Sequence, residues 1–268
     1  MARLTAQGAD ATPQPRRRLL MISISEDRPA DLILPPAFTA RMAEPAADVH
    51  AQACRSAEEG AEPGTLLLGE RDGTVTLAVV LAPDEPLAPA RRALFAGMWA
   101  MAEAIGGFGP PEIPVVIAWP DTLHFNQGRL GGGRLGWPDG CREDTVPDWL
   151  VFSASLIASK RHAGDPGLTP DSTSLEEEGF PPDLAGPLAE SFARLLTKAF
   201  EIWSEDGFSV LAQRYLDHLV LPPGARVEID AVGDLRLHRP DAQVESWPLQ
   251  PVLDVPAWRD PYTGTVRL

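Results

Sequence analysis

The sequence predicts an α+β fold, in which helices pack on a mixed or antiparallel sheet and a small C-terminal β domain follows. Helical and strand-like segments are mixed along all 268 residues. Several strand-like segments are separated by hairpin-length turns, which favours antiparallel pairing. Neither a GxGxxG after a strand nor a GxxxxGK[ST] motif is present. A doubly wound nucleotide-binding fold is therefore not indicated.

The N-terminal half begins with an Ala/Pro/Arg-rich stretch, residues 1–28, that we expect to be a disordered tail. A helix is predicted over 43–60, with Pro45 in its first turn and Gly60 at its C-cap. Two strands, 65–69 and 74–81, follow, joined by the hairpin turn Glu70-Arg71-Asp72-Gly73. The next helix, 89–106, carries one apolar stripe made of Leu94, Met98, Met101 and Ile105.

The second half continues with strands and ends in a β-rich region. We predict a strand at 113–119, a hairpin at 123–125 and 128–137, and a strand at 149–159. Residues 166–182 are predicted to form a loop, and two helices follow at 184–203 and 208–219. Pro222-Pro223-Gly224 breaks the pattern, and short strands are predicted at 226–229, 234–238 and 244–249. The predicted domains are a tail at 1–28, a main domain at 29–222 and a β domain at 223–268.

Composition excludes several classes of partner. The chain has 38 acidic and 23 basic residues, a net charge of −15, so a nucleic-acid phosphate backbone or an anionic membrane surface is not expected to bind it. No apolar run is long enough to span a membrane, and the short apolar run near the N-terminus lacks a signal-peptide pattern. We therefore expect a cytoplasmic protein with no nucleic-acid or membrane partner. Cys54 and Cys141 show no metal-ligand spacing.

The most informative stretch is 118–135, where a strand ends in a Pro turn and a glycine-rich strand follows. Glycines inside a strand allow a ligand or a second backbone to approach closely. The stretch is consistent with a ligand groove, and also with a barrel-like kink that binds no ligand. Arg129 stands at the start of the glycine-rich strand.

This stretch resembles the WPND and K-L-x-G motifs of the biotin/lipoate protein ligases, and the tail at 256–264 is similar to a divergent proteobacterial subfamily of unknown function. Trp119-Pro120-Asp121-Thr122 stands for WPND and Arg129-Leu130-Gly131-Gly132 for K-L-x-G. Residues 172–179 are similar to the family's ATSL-type turn, and 149–157 to its GIGIN-type strand. The resemblance covers about 30–268. It implies that a carboxylic acid (biotin, lipoate or octanoate) reacts with ATP and Mg²⁺ to give an acyl-adenylate, which then acylates a lysine of an acceptor protein domain.

The sequence departs from the family pattern at four places. Arg129 replaces the lysine, which keeps the charge but changes its geometry. Asp121 and Thr122 replace the asparagine and aspartate of WPND. Ile157 replaces the asparagine of GIGIN, with Ser153 and Ser155 in place of glycines. The glycine/arginine phosphate loop has no counterpart other than Glu70-Arg71-Asp72-Gly73.

By this resemblance, Arg129 is the candidate catalytic residue, because it would neutralise the acyl-adenylate, and no metal ligand is assigned. The candidate ligand-binding residues are Trp119, Asp121, Gly131, Gly132, Gly133 and Arg71. Asp121 would face Mg²⁺ or the ribose, and Arg71 would partly replace the phosphate loop. Three hypotheses stay open: an active acyl-protein ligase or transferase, a catalytically inactive relative that binds a small carboxylic acid or a protein partner, and an unrelated α+β protein.

Other candidates have ordinary structural explanations. Two acids near Cys141 would raise the pKa of its thiol, and His124 fits a surface histidine or a core histidine with satisfied hydrogen bonds. The acidic run at 176–178 is predicted to be a solvated helix start. His50 and Cys54 are spaced i, i+4, as a helical metal pair would be, but no further ligand accompanies them.

Overall fold

A computed structural model describes residues 32–221, 224, 226–239 and 243–268, so the predicted tail at 1–28 lies outside the described residues. Seven strands form the main sheet, in the spatial order β1-β2-β3-β7-β6-β5-β4. They are β1 (Thr39–Met42), β2 (Thr65–Arg71), β3 (Thr74–Leu81), β4 (Val116–Ala118), β5 (Thr122–Phe125), β6 (Gly128–Gly136) and β7 (Leu150–Ile157). Only β1 and β2 pair in parallel; the other neighbours are antiparallel. The predicted mixed sheet is confirmed.

Helices cover the two faces of the sheet unequally. They are α1 (Val49–Glu58), α2 (Leu87–Ala90), α3 (Ala93–Gly106), α4 (Ala185–Asp206), α5 (Phe208–Leu216) and α6 (Gln250–Asp254). The apolar faces of α3, α4 and α5 bury alternate sheet residues such as Leu66, Leu77 and Phe152 in the main core. On the other face, α1 covers a smaller cluster around Leu67 and Val80. The part of this face that α1 does not cover is therefore free to carry polar side chains.

A second, antiparallel sheet follows the helices, in the order β10-β9-β8. Its strands are β8 (Arg226–Ile229), β9 (Leu235–His238) and β10 (Val244–Trp247). Leu235 and Leu249 from this region are fully buried in the main core, so the small sheet shares that core. The division of the chain at residue 222 stays a prediction.

Several element boundaries differ from the sequence prediction. The helix predicted over 43–60 begins at Val49, because Ala46 takes a left-handed φ of 58° and Asp48 caps the helix through the Ala51 N–H. The helix predicted over 89–106 is broken at Arg91-Arg92 into α2 and α3. The strand predicted over 113–119 forms a ladder only at Val116–Ala118. The sequence predicts neither the strand β1 nor the helix α6.

The acidic run at 176–178 is not a helix start, and this prediction is wrong. The run lies in a turn six residues before α4, which begins at Ala185. Its carboxylates hold the loop together instead. Glu177 pairs with the buried ammonium of Lys160 at 3.0 Å, Glu176 with Arg161, and Glu178 accepts from the Thr173 hydroxyl.

Candidate functional site

On the face of the main sheet that α1 partly covers, three neighbouring strands carry polar side chains in the area that α1 leaves open. We call this polar area the floor. Thr76 of β3 is directly opposite Ser155 of β7, and Arg134 of β6 is opposite Ser153. Because alternate residues of a strand share a face, these side chains lie on the face opposite the main core. The Thr76 and Ser155 hydroxyls are hydrogen-bonded to each other at 2.8 Å. We call the space above this floor the central groove.

Residues 256–268, here the C-terminal segment, lie across the central groove. The indole of Trp258 packs on Gly132, where an added Cβ would be 2.4 Å from the ring. Its Nε1–H donates to the Gly133 carbonyl at 3.2 Å, and the ring is buried with Ile157 and Val266. This contact leaves a cavity of about 70 Å³ between the segment, α1 and the floor.

Positive charge dominates the lining of this cavity. Arg71, Arg134 and Arg259 line it, with Asp48 as the carboxylate on its rim. Asp48 is engaged by Arg259 at 3.4 Å and by its capping bond to the Ala51 N–H. The half-buried guanidinium of Arg134 makes no ion pair or hydrogen bond with any described side chain. Burial, and next the charge of Arg259, lowers the pKa of Arg134.

His50 forms the wall of the cavity at the start of α1. Its Nδ1 is 2.7 Å from the Ser153 Oγ, and its Nε2 is 3.5 Å from the Cys54 Sγ. Burial, and next the charge of Arg134, lowers the pKa of His50 to about 3, so the ring is neutral at neutral pH. Burial raises the pKa of the Cys54 thiol to about 11. Among the described residues, no three His, Cys, Asp or Glu side chains are grouped to hold a metal ion.

The structure separates the glycines that the sequence placed together. Gly132 faces the groove and is covered by Trp258, whereas a Cβ on Gly133 would meet Met98 of α3. A Cβ on Gly131 would meet the Ser155 carbonyl at 2.0 Å, so that glycine allows β6 and β7 to pair closely.

Trp119 and Asp121 lie beneath the groove floor; Trp119 is partly buried against the main core, and Asp121 is almost fully enclosed. The Trp119 ring stacks on Phe95 with centroids 5.5 Å apart. Asp121 is 1% exposed, and burial raises the pKa of its carboxyl to about 7, while the Thr122 hydroxyl and the Trp258 indole act in the opposite direction. The proposed role of Asp121 toward Mg²⁺ or a ribose thus concerns a carboxyl that is enclosed in this structure.

Arg129 and Arg71 lie at two edges of the groove. The Arg129 Nε–H donates to the Arg267 carbonyl at 3.1 Å, so its guanidinium holds the C-terminal segment. Arg71 ends β2, lines the cavity, and bonds to the exposed Asp72. The two residues Asp72 and Gly73, both with positive φ, alone join β2 to β3, which is a tight hairpin turn.

The sequence and the fold match known proteins. The sequence model described as "Biotin/lipoate A/B protein ligase family" matches residues 34–217. The chain belongs to this family. A biotin protein ligase-like protein of unknown function from Silicibacter sp. TM1040 is 30% identical, with a TM-score of 0.71, and the match covers 83% of this chain and 99% of that one.

The family fold is also seen in an established enzyme. Biotin protein ligase from Aquifex aeolicus matches with a TM-score of 0.58 and 15% identity, covering 78% of this chain and 95% of that one. The same enzyme in complex with biotin and ATP matches at 14% identity over 79% of this chain and 95% of that one, again with a TM-score of 0.58. These matches show the fold. No curated protein matches the sequence.

ATP is the cofactor that the family implies, and the described residues around the groove do not fit it well. A nucleotide triphosphate needs several N–H donors and cations around its phosphates. The tight turn at Asp72-Gly73 supplies no loop between β2 and β3, and the C-terminal segment fills the space in front of Gly132.

Sequence reasoning includes Arg134 in the candidate groove stretch 118–135 without giving it a role, and it does not identify Thr76, Asp48, Trp258 or Arg259 as groove residues. A signal for two of them was present, since Thr76 and Arg134 alternate with core residues in their strands. Their common face becomes visible only once the register between β3, β7 and β6 is known. The i, i+4 spacing of His50 and Cys54 does bring their side chains together, at 3.5 Å, but the other ring nitrogen of His50 contacts Ser153, and no third ligand joins them among the described residues.

Proposed function

We propose that this member of the biotin/lipoate ligase family is a pseudoenzyme that binds a small carboxylic acid in the central groove and does not adenylate it. The observation that carries this proposal is Arg134, a half-buried cation that lines the cavity without an ion-pair partner among the described residues. A buried unpaired charge is costly, and a ligand carboxylate would remove that cost. No described helix is long and apolar enough to cross a membrane. The cytoplasmic location is part of this proposal.

The lack of adenylation follows from the surroundings of the groove. The arginine that replaces the family lysine, Arg129, is held by the carbonyl of Arg267. Only Asp72 and Gly73 join β2 to β3, so the chain has no longer loop at this position to cover an adenylate. A bound acid would therefore remain an acid, held by charge and hydrogen bonds.

ATP–pyrophosphate exchange tests the proposal when biotin, lipoate and octanoate are added in turn to the purified full-length chain. We expect no exchange with any acid. In parallel melts, we expect a carboxylic acid to stabilise the protein without ATP, by about 2.7 kcal/mol at 100 times its Kd. Exchange with any of the acids would overturn the proposal.

Family membership favours a second candidate function, acyl transfer to a lysine of an acceptor protein domain with ATP and Mg²⁺. In this function Arg129 carries the chemistry, with Asp121, Trp119, Arg71 and the glycines of β6 around the acyl-adenylate. Arg129→Ala would then abolish exchange and ligand binding while the fold stays intact. Acyl transfer without Arg129, or no loss of binding in this variant, would remove the candidate.

A further inference from the structure

The cavity in the central groove restricts ligands by size. A cavity of about 150 Å³ holds a benzene-sized molecule, and ordinary small-molecule sites measure about 300–1,000 Å³. The cavity here is about 70 Å³ and open on one side. A bicyclic ring or an eight-carbon chain cannot be enclosed in this space while Trp258 lies on Gly132, so most of such a molecule would stay in solvent.

The lining of the cavity is polar where the ligand would lie. Thr76 and Ser155 present hydroxyls from the floor, and both can rotate to donate to or accept from a ligand. The neutral ring of His50 adds a wall that brings no charge at neutral pH, and its two nitrogens contact Ser153 and Cys54. Such a lining fits a ligand that carries a hydroxyl or oxo group beside its acid group.

The charges around the cavity set the charge of the ligand. Arg259 and Asp48 pair with each other, and Arg71 pairs with Asp72 outside the cavity. Arg134 is left as one positive charge without a partner in the described part of the chain. A single carboxylate balances it, whereas a dianion would place a second negative charge near Asp48.

We propose that the central groove binds a short polar monocarboxylate of about four to six non-hydrogen atoms, a 2-hydroxy or 2-oxo acid, with Arg134 as its cation. Thr76 and Ser155 bond the ligand's second polar group, and the C-terminal segment covers it. The inference rests on the proposed function, that the groove binds a carboxylic acid without adenylating it. It replaces biotin, lipoate and octanoate with a smaller and more polar class of acid.

Isothermal titration of the full-length chain with glycolate, lactate, pyruvate, acetate, phosphate, octanoate and biotin tests this proposal. Glycolate, lactate or pyruvate should bind tightest, acetate more weakly because it lacks the second polar group, and phosphate, octanoate and biotin at least ten times more weakly. Arg134→Gln should weaken binding of the best acid roughly 30-fold or more. Arg194→Gln, an exposed arginine of α4, is the matched control and should bind as the wild type does.

Thr76→Val provides a second variant that keeps the shape of the side chain and removes one hydroxyl. It should weaken binding of the hydroxy acid about 5-fold and leave acetate binding unchanged. This difference between two ligands cannot arise from a general loss of folding. It therefore keeps the proposal testable if Arg134→Gln folds poorly.

The outcomes separate this inference from the proposed function. Biotin or octanoate binding without ATP, as tightly as the short acids, overturns the short-acid inference and leaves the proposed function standing. Pyrophosphate exchange overturns the proposed function. No binding of any short acid, tightest binding of phosphate, or equal binding by Arg134→Gln overturns the inference.

Discussion

The indole ring of Trp258 lies on the backbone of Gly132, so close that a Cβ atom at residue 132 would be 2.4 Å from three ring atoms. The two residues are 126 positions apart in the sequence, and their contact closes the central groove. The Trp258 Nε1–H bond to the Gly133 carbonyl fixes the ring in place. The size of the groove thus depends on a contact between the C-terminal segment and β6.

Gly132→Ala should destabilise the protein by about 1–3 kcal/mol, because a methyl group at this position overpacks a rigid, buried ring. Urea unfolding followed by fluorescence gives the free energy of unfolding. Gly106→Ala is the matched control: Gly106 ends α3, no atom outside its own helix lies within 4 Å of the added Cβ, and alanine there should stabilise the protein by about 0.5–1 kcal/mol. Equal effects of the two substitutions would contradict the Trp258–Gly132 packing.

The stability of the Asp121→Asn variant, compared with that of the wild type at the same pH, should increase as pH rises. Burial raises the pKa of the Asp121 carboxyl to about 7, above its value near 3.8 in the unfolded chain. Between these values the unfolded state loses the proton and the folded state keeps it, so this group destabilises the fold increasingly up to pH 7. The variant has no titrating carboxyl at this position, so its free energy of unfolding does not fall in this way. Its stability relative to the wild type should rise between pH 4 and 7, by at most about 1.4 kcal/mol per pH unit, and then level off.

Urea titrations of the two proteins at pH 4.5, 6 and 8 measure this difference. Thr122→Val is a useful comparison, since it removes the neighbouring hydroxyl that bonds to Asp121 but leaves the carboxyl in place. A gap between Asp121→Asn and the wild type that is the same at all three pH values would show that the carboxyl is ionised in the folded protein.

His50→Asn should protect the protein against acid. Burial lowers the pKa of His50 to about 3, below its unfolded value near 6.5. As pH falls from 6.5, the unfolded chain takes up a proton that the folded state refuses, so the wild type loses stability down to about pH 3. Asn keeps a polar group near the Ser153 hydroxyl and does not titrate. The variant should therefore gain stability relative to the wild type between pH 6.5 and 4, as read from urea midpoints; no gain would mean that His50 is charged in the folded state.

The effects of His50 and Asp121 oppose each other over the same pH range. The buried histidine favours folding at higher pH, and the buried carboxyl favours it at lower pH. Together, these two groups leave the free energy of unfolding nearly independent of pH between about pH 4 and 6.5. The single variants are needed to separate the two contributions, and the double variant should restore a flat profile if the groups act independently.

Local patterns in the sequence predict most of the main sheet and its helices, because β2, β3, β7 and α3 each carry a continuous apolar signal. The strand β1 carries none: its four residues lie at the sheet edge and three of them are exposed. The sequence also does not predict the break between α2 and α3. Arg91 has the pattern of a solvated helical arginine, but in the structure it is buried and pairs with Glu143.

The candidate site was harder to predict because it is made by long-range register. Arg129 and Arg134 lie five residues apart in one glycine-rich strand, and no local pattern says which of them faces the groove. The ladder between β6 and β7 decides it by placing Arg134 opposite Ser153. Trp258 covers the groove because the C-terminal segment packs back against β6. Local periodicity does not predict such a long-range contact.

Trp258→Ala should enlarge the central groove and change which acids bind there. Loss of a buried Trp costs about 3–5 kcal/mol where the whole fold depends on it, but the C-terminal segment can detach as a local unit. We therefore expect a smaller fall in global stability, together with faster trypsin cleavage after Arg259 in the folded protein. Octanoate should then bind more tightly than it does to the wild type, and the short acids more weakly, because the segment carrying Arg259 no longer covers them. Unchanged cleavage and unchanged acid preference would show that Trp258 does not control access to the groove.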